Sequence, residues 1–256
     1  MPPADAPIIT LQGVSKSFGG INAVDDCTFD VTPRLITGLI GPNGAGKTTI
    51  FNLITGFLRP DSGSVRLRGE ELVGLAPHDV ERRGIARTFQ HLRLWNKMTV
   101  LDNVLLGCQS AVGENVLTLF LRPAAVRAQE ARDRARALEV LDFFSLRHRA
   151  HELAEDLAYP EQKLLSMARI FATDAEVLLL DEPTSGLDTD SLRRVVPIVR
   201  RLVEHGKTVL LIEHNMELVS QLSDEVVFLH QGHVLSKGKP ETITRDPALT
   251  EIYFGV

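Results

Sequence analysis

Short, almost wholly apolar runs recur along the chain at residues 35–40, 177–180 and 208–212. Runs of that length without polar alternation are the pattern of strands buried on both faces of a sheet. Residues 191–204, between the second and third runs, place apolar side chains at helical spacing. Strands alternating with helices predict a parallel sheet. Residues 226–229 and 233–236, split by Gln231-Gly232, read as a terminal hairpin, and residues 243–254 as a short helical tail.

Other stretches carry different patterns. Residues 8–14 and 27–31 read as β segments separated by a turn, Lys16-Ser17-Phe18-Gly19-Gly20. Residues 64–68 alternate apolar and basic after the punctuation Arg59-Pro60-Asp61-Ser62-Gly63, a strand entering a hairpin. Together these predict a small antiparallel sheet. From residue 92 to about 155, Ala131, Ala135, Leu138 and Leu141 recur at helical spacing, with Arg127, Glu130, Arg132 and Arg136 between them. This reads as a helical lobe with a solvated face, interrupted by a loop or broken helix between Gly113 and Pro123.

The run at 35–40 stops at Gly41-Pro42-Asn43-Gly44-Ala45-Gly46, and helical spacing resumes at Lys47-Thr48-Thr49. Strand, Gly-rich loop, helix is the order that lets successive backbone N–H groups and a helix N-terminus wrap a polyphosphate. The pattern GxxxxGK[ST] is complete from Gly41 to Thr48, with Lys47 as a point charge for the outer phosphates and the Thr48 hydroxyl placed for Mg²⁺. The expected fold class is α/β, a P-loop NTPase core with a parallel sheet plus an antiparallel β-subdomain and a helical subdomain.

Composition narrows the partners. With 256 residues and 44% apolar composition, the chain can bury a large core. Its net charge of −5 gives no basic footprint for nucleic acid. Cys27 and Cys108 have no metal-ligand spacing and form no disulfide framework. No apolar run approaches the roughly 20 residues that span a bilayer, and the first residues, MPPADAP, lack a signal pattern. The expectation is a cytosolic chain whose membrane role, if any, needs a partner.

The run at 177–180 ends in Asp181-Glu182, placing two carboxylates at the C-terminal edge of a strand, where ligands of parallel sheets sit. Asp181 is the candidate Mg²⁺ ligand and Glu182 the candidate base that polarises water for attack on the γ-phosphate. An acid pair before Pro183 also begins turns or caps helices; the P-loop upstream favours chemistry.

The order Gly41 to Thr48, Gln90, LAYPEQ from Leu157 to Gln162, Asp181-Glu182, Ser185-Gly186-Leu187-Asp188 and His214 resembles the ATP-binding subunits of ABC transporters across nearly the whole chain. The resemblance implies one nucleotide-binding domain over residues 1–256, with a helical subdomain over roughly 92–155 and a tail over 238–256. It implies ATP and Mg²⁺ as cofactors. Gly41, Asn43, Gly44, Ala45, Gly46, Lys47, Thr48 and Thr49 would hold ATP; Thr48, Gln90 and Asp181 would hold Mg²⁺; Glu182, His214 and Gln90 would serve hydrolysis. Phe18 would stack on adenine, the alternative being a core aromatic of the small sheet. His214 would reach the γ-phosphate, although a lone His after a strand is otherwise a turn residue.

In this family two subunits meet head to tail, and the LSGGQ motif of one covers the γ-phosphate held by the other. Here Ala158, Tyr159, Pro160, Glu161 and Gln162 stand in that stretch, with Asp188 nearby. Ala158 lacks the serine hydroxyl, and Pro160 has no N–H to give. One lost hydrogen bond to a charged group costs roughly 1.5 to 3 kcal/mol, about tenfold to a hundredfold in affinity. The expectation is an intact site at this chain's own P-loop and a weaker partner site under LAYPEQ.

The stretches FNLITGF, GIARTFQHLRLW, LLIEHNMELVSQLSDEV and EIYFG further resemble the ATPases that energise uptake of branched-chain amino acids and related solutes such as urea. That resemblance implies an ATP-hydrolysing importer subunit for branched-chain or other amino acids, peripheral on the cytoplasmic face of the cell membrane. Its partners would be a second ATP-binding subunit, heterodimer or homodimer, two transmembrane permease subunits and an external solute-binding protein, with no nucleic acid. His91, Leu92, Leu94 and Trp95 would meet a membrane subunit, or else be core. A soluble ABC-type ATPase not coupled to transport is the alternative.

Overall fold

The structure is a computed structural model and describes residues 6–90, 92–108 and 123–254. Its centre is a six-stranded sheet built from β3 (Ile36–Ile40), β6 (Ile85–Arg87), β7 (Val177–Asp181), β8 (Thr208–Ile212), β9 (Glu225–His230) and β10 (His233–Gly238), in the order β10-β9-β3-β8-β7-β6. β3 lies parallel to β8 and β9, and β7 parallel to β8 and β6; only β10 runs antiparallel, at the edge. Every residue of β3, β7 and β8 is buried, the physical reason for their unbroken apolar runs. β6 has three residues, too few to show a period in sequence.

A second, antiparallel sheet has the order β2-β1-β4-β5, from β1 (Ile9–Phe18), β2 (Ile21–Val31), β4 (Ser62–Leu67) and β5 (Glu70–Glu71). The expected turn at 16–20 is tighter than the sequence suggests: β1 continues to Phe18, and only Gly19 and Gly20, both at positive φ, make the reversal. Phe18 stands 45% exposed at that tip, so it is not a core aromatic.

α1 (Lys47–Ile54) fills the space between the sheets, with Ile50, Phe51 and Ile54 fully buried beside Leu39, Val65 and Leu179. Full burial of such a side chain is worth roughly 1.5 to 3 kcal/mol. The helical lobe packs on the other side of the central sheet: α3 (Val100–Leu105), α4 (Pro123–Phe143) and α5 (Tyr159–Ala172) share a cluster in which Leu141, Phe144 and Leu165 meet Leu178 and Leu180. α5, which begins beyond residue 155, packs on α3 and α4 in this cluster. The stretch between Gly113 and Pro123 lies outside the described residues, apart from Pro123, where α4 begins.

After β7 come α6 (Thr189–Glu204) and, beyond β8, α7 (Met216–Leu222). The tail is two helices, α8 (Pro240–Thr244) and α9 (Pro247–Phe254), because a proline opens each and cannot continue a preceding helix. Ile243 and Leu249 pack on Ile40 and Phe228, tying the tail to the central sheet. α2 (Pro77–Arg82) completes the α-helices among the described residues.

Candidate active site

At the C-terminal end of β3 the backbone must pass close under its neighbours. A Cβ on Gly41 would lie 1.9 Å from the Leu229 carbonyl oxygen, and one on Gly46 would lie 2.3 Å from that of Ala23, with both residues at positive φ. Only glycine fits either position. The loop opens into a cavity of about 300 Å³ whose floor is Asn43, Gly44, Ala45, Gly46, Lys47, Thr48 and Thr49. The first N–H groups of α1 have no acceptor within their own helix and suit an anion. Lys47 is 6% exposed, its Nζ donating to the carbonyls of Gly41 at 2.7 Å and Pro42 at 2.9 Å. Burial pushes its ammonium pKa down, while the Glu182 and then the Asp181 carboxylate pull it back up.

Across the same cavity stand Glu182, Gln90 and His214. His214 Nε2 lies 2.8 Å from Glu182 Oε1, and Gln90 Nε2 donates to both Glu182 oxygens at 3.4 Å. The Glu182 backbone is held by its N–H on the Ile212 carbonyl at 3.0 Å and by Lys163 Nζ on its own carbonyl at 2.7 Å. It sits at φ 49, the left-handed region that a residue with a side chain rarely adopts. Strain of this kind persists where surroundings over-determine the backbone.

Other expected site residues lie outside this cavity wall. Asp181 is 4% exposed and its Oδ2 accepts from Arg87 at 2.7 Å. Phe18 and Ala23 belong to one hairpin, but only Ala23 lines the cavity. Asp188 is the N-cap of α6, accepting from the Ser191 N–H at 2.8 Å; hydrogen bonds from Ser191 hold its carboxyl below the ordinary range.

The LAYPEQ stretch opens α5, with Ala158 at the N-cap and Pro160 in the first turn. It faces Ser185 and Gly186 rather than the cavity: the Tyr159 ring would stand 3.2 Å from a Cβ on Gly186. Glu161 Oε2 caps the Ala158 N–H at 3.0 Å and accepts from Arg149 at 3.3 Å. Gln162 Nε2 donates to the Leu157 carbonyl at 3.0 Å, so this amide supports its own turn.

A family profile described as ABC transporter matches residues 24–185, a span running from the hairpin beside the cavity past Glu182. The chain belongs to the ABC transporter ATP-binding family. It is 40% identical over 252 residues to the high-affinity branched-chain amino acid transport ATP-binding protein BraF of Pseudomonas aeruginosa, covering 97% of this chain and 98% of the relative. LivG of Escherichia coli, described in the same words, is 37% identical over 250 residues, covering 97% and 98%. Among solved structures, a nucleotide-free ATP-binding cassette of an ABC transporter superposes with a TM-score of 0.83 at 30% identity, covering 97% of this chain and 99% of that one. A cassette in its ADP conformation gives 0.84 at 29%, covering 98% and 100%. The chain is thus an ATP-binding cassette and an ABC-type ATPase.

Several residues that shape this cassette's site escaped the sequence reading. Arg87 connects Asp181 to the Gln90 segment; a charge ending a three-residue strand gave no periodic signal. Glu213, 3% exposed, accepts from the Thr184 N–H at 3.0 Å and hydroxyl at 2.6 Å. An acid closing the apolar run 208–212 was the available clue. Lys163 and Tyr253 act through backbone carbonyls of Glu182 and His214, contacts with no sequence signature.

The donors expected for Mg²⁺ fit a hard cation. Thr48 offers a hydroxyl and Gln90 an amide oxygen on one cavity, and Asp181 a carboxylate outside its lining with one oxygen taken by Arg87; such a small set suits an ion that takes its remaining ligands from phosphates and water.

Proposed function

We propose that this chain is the ATP-hydrolysing subunit of an importer for branched-chain or other amino acids, acting at the cytoplasmic face of the cell membrane. The importer reading rests on similarity, over 97% of the chain, to relatives described as high-affinity branched-chain amino acid transport ATP-binding proteins. No helix among the described residues is long and apolar enough to cross a membrane, so passage of the solute falls to other subunits.

The observation that carries hydrolysis is the Glu182–His214 contact of 2.8 Å facing the cradle of Gly44 to Thr49. In the proposed cycle the cradle and Lys47 take the phosphates, Lys47 exchanging its two carbonyl acceptors for phosphate oxygens. Glu182 accepts the proton of the attacking water, and His214 fixes the carboxylate and reaches toward the γ-phosphate. Gln90 orients the same water and joins the core to the helical lobe. Phe18, exposed at its hairpin tip, stacks on the adenine. Thr48, Asp181 and Gln90 would hold Mg²⁺, which would supply charge compensation for the phosphate oxygens.

Closure comes from a second ATP-binding subunit. This chain offers it Ala158, Tyr159, Pro160, Glu161, Gln162 and Asp188, a surface with no hydroxyl at 158, no N–H at 160 and a carboxylate at the helix start that Arg149 only partly offsets. That poverty of donors favours a mixed pair in which this chain's P-loop is the stronger site. One of the two permease subunits meets the cleft of about 400 Å³ between core and helical lobe, where Phe57 and Leu106 stand half exposed beside Phe89. Of the segment expected to dock there, Leu94 packs on the core, Trp95 is 59% exposed and His91 lies outside the described residues.

The test is purification of the complex from membranes through a tag on this chain. Integral membrane subunits should co-purify, ATPase activity should rise with a branched-chain amino acid and its binding protein, and Glu182→Gln should remove at least about 99% of turnover. Purification without membrane subunits would support an ATPase uncoupled from transport. Unchanged turnover in Glu182→Gln would show that another group is the base.

A further inference from the structure

His214 lies between two anchored residues. On one side Glu213 is buried, and its Oε1 takes both the N–H and the hydroxyl of Thr184, two residues beyond Glu182. With the Glu182 N–H on the Ile212 carbonyl, residues 182–184 are stitched to residues 212–213 beyond the last paired residues of β7 and β8, Asp181 and Ile212. On the other side Asn215 caps α7, its Oδ1 accepting from the Glu217 N–H at 2.9 Å. The His214 carbonyl in turn accepts the Tyr253 hydroxyl from the tail.

We infer that Glu213 and Tyr253 are positioning residues that hold His214 against Glu182, making the C-terminal helix α9 part of the hydrolytic machinery. The inference rests on the reading of Glu182 and His214 given above. Tyr253 is suited to the task because its ring is fixed on Phe228, with centroids 6.2 Å apart, while Ile243 and Leu249 seat the tail on the central sheet. Burial, and then the Glu213 charge, push the Tyr253 phenol above its ordinary pKa, so it remains a hydrogen-bond donor at neutral pH. Two clamps of independent origin, one from the core sheet and one from the tail, thus converge on one residue. A displaced tail would release the His214 carbonyl without touching the phosphate cradle.

The experiment compares Tyr253→Phe, Glu213→Ala and His214→Ala in the purified complex, with ATP affinity of the full chain read from a fluorescent ATP analogue. Tyr253→Phe keeps the ring on Phe228 and removes only the hydroxyl; kcat should fall about three- to tenfold, and about tenfold or more in Glu213→Ala, with affinity held within about twofold. Because both residues act through His214, adding either change to His214→Ala should slow the enzyme no further. Multiplying losses in the double variants, or affinity falling together with kcat, would mean general damage and overturn the inference. If His214→Ala is slow while Tyr253→Phe and Glu213→Ala run at the wild-type rate, only the positioning role fails. If His214→Ala itself keeps full turnover, the reading of His214 fails as well. Should Glu213→Ala not fold, Tyr253→Phe decides.

Discussion

Arg87 and Asp181 form a buried ion pair, Nη2 to Oδ2 at 2.7 Å, with side chains only 5% and 4% exposed. The guanidinium also bonds Asn52 on α1 and lies over the rings of Phe51 and Phe89, each 5.2 Å away. It thereby ties the helix after the phosphate loop, the end of β7 and the segment leading to Gln90 into one unit. Arg87→Met should destabilise the chain by roughly 3 to 5 kcal/mol, because a buried carboxylate is left without its partner. Urea unfolding measures this; a loss under about 1 kcal/mol would mean that Asp181 finds compensation elsewhere.

Lys47 donates to the Gly41 and Pro42 carbonyls, so its removal leaves the loop without its cation while the glycine-dependent backbone stays formed. Lys47→Ala should weaken ATP binding by at least about a hundredfold with little change in circular dichroism, consistent with a charge-assisted contact to phosphate. Titration with a fluorescent ATP analogue is the measurement. Wild-type affinity in Lys47→Ala would remove the phosphate role of this loop.

Ala158 occupies the N-cap of α5 with extended backbone, φ −62 and ψ 152, and has no side-chain acceptor for the first-turn N–H groups. Ala158→Ser should therefore stabilise the chain by about 0.5 to 2 kcal/mol in urea unfolding. In the complex the added hydroxyl should also raise turnover severalfold by supplying a donor to the partner's site. A gain in stability with no change in turnover would place the weakness of that site at Pro160 instead.

The two cysteines should differ in reactivity. Cys27 is fully buried, and burial, followed by the Asp26 charge, pushes its thiol up to about 12. Cys108 is half-buried and shifted in the same direction by burial. Ellman's reagent at pH 8 should modify Cys108 in the native chain and leave Cys27 untouched until unfolding. Because its folded pKa is raised, the contribution of Cys27 to stability is complete below the ordinary 9.0 and is lost as pH climbs from there toward 12. Unfolding free energy of Cys27→Ala should fall less over that alkaline range than that of the wild type.

The long central strands, the phosphate loop and the pair Asp181-Glu182 are legible in the sequence, because each is written in neighbouring residues. An apolar run specifies a buried strand, and the glycines at 41 and 46 specify a loop that side chains would block. Which distant groups meet depends on how the chain packs. Glu182 and His214 are 32 positions apart, Arg87 and Asp181 are 94, and the Tyr253 hydroxyl reaches a carbonyl 39 residues away. A hydrogen bond to a backbone carbonyl selects no residue type in its acceptor, and a buried charge names no partner in its own neighbourhood. Those contacts exist only once β7 and β8 lie side by side and the tail closes over Phe228.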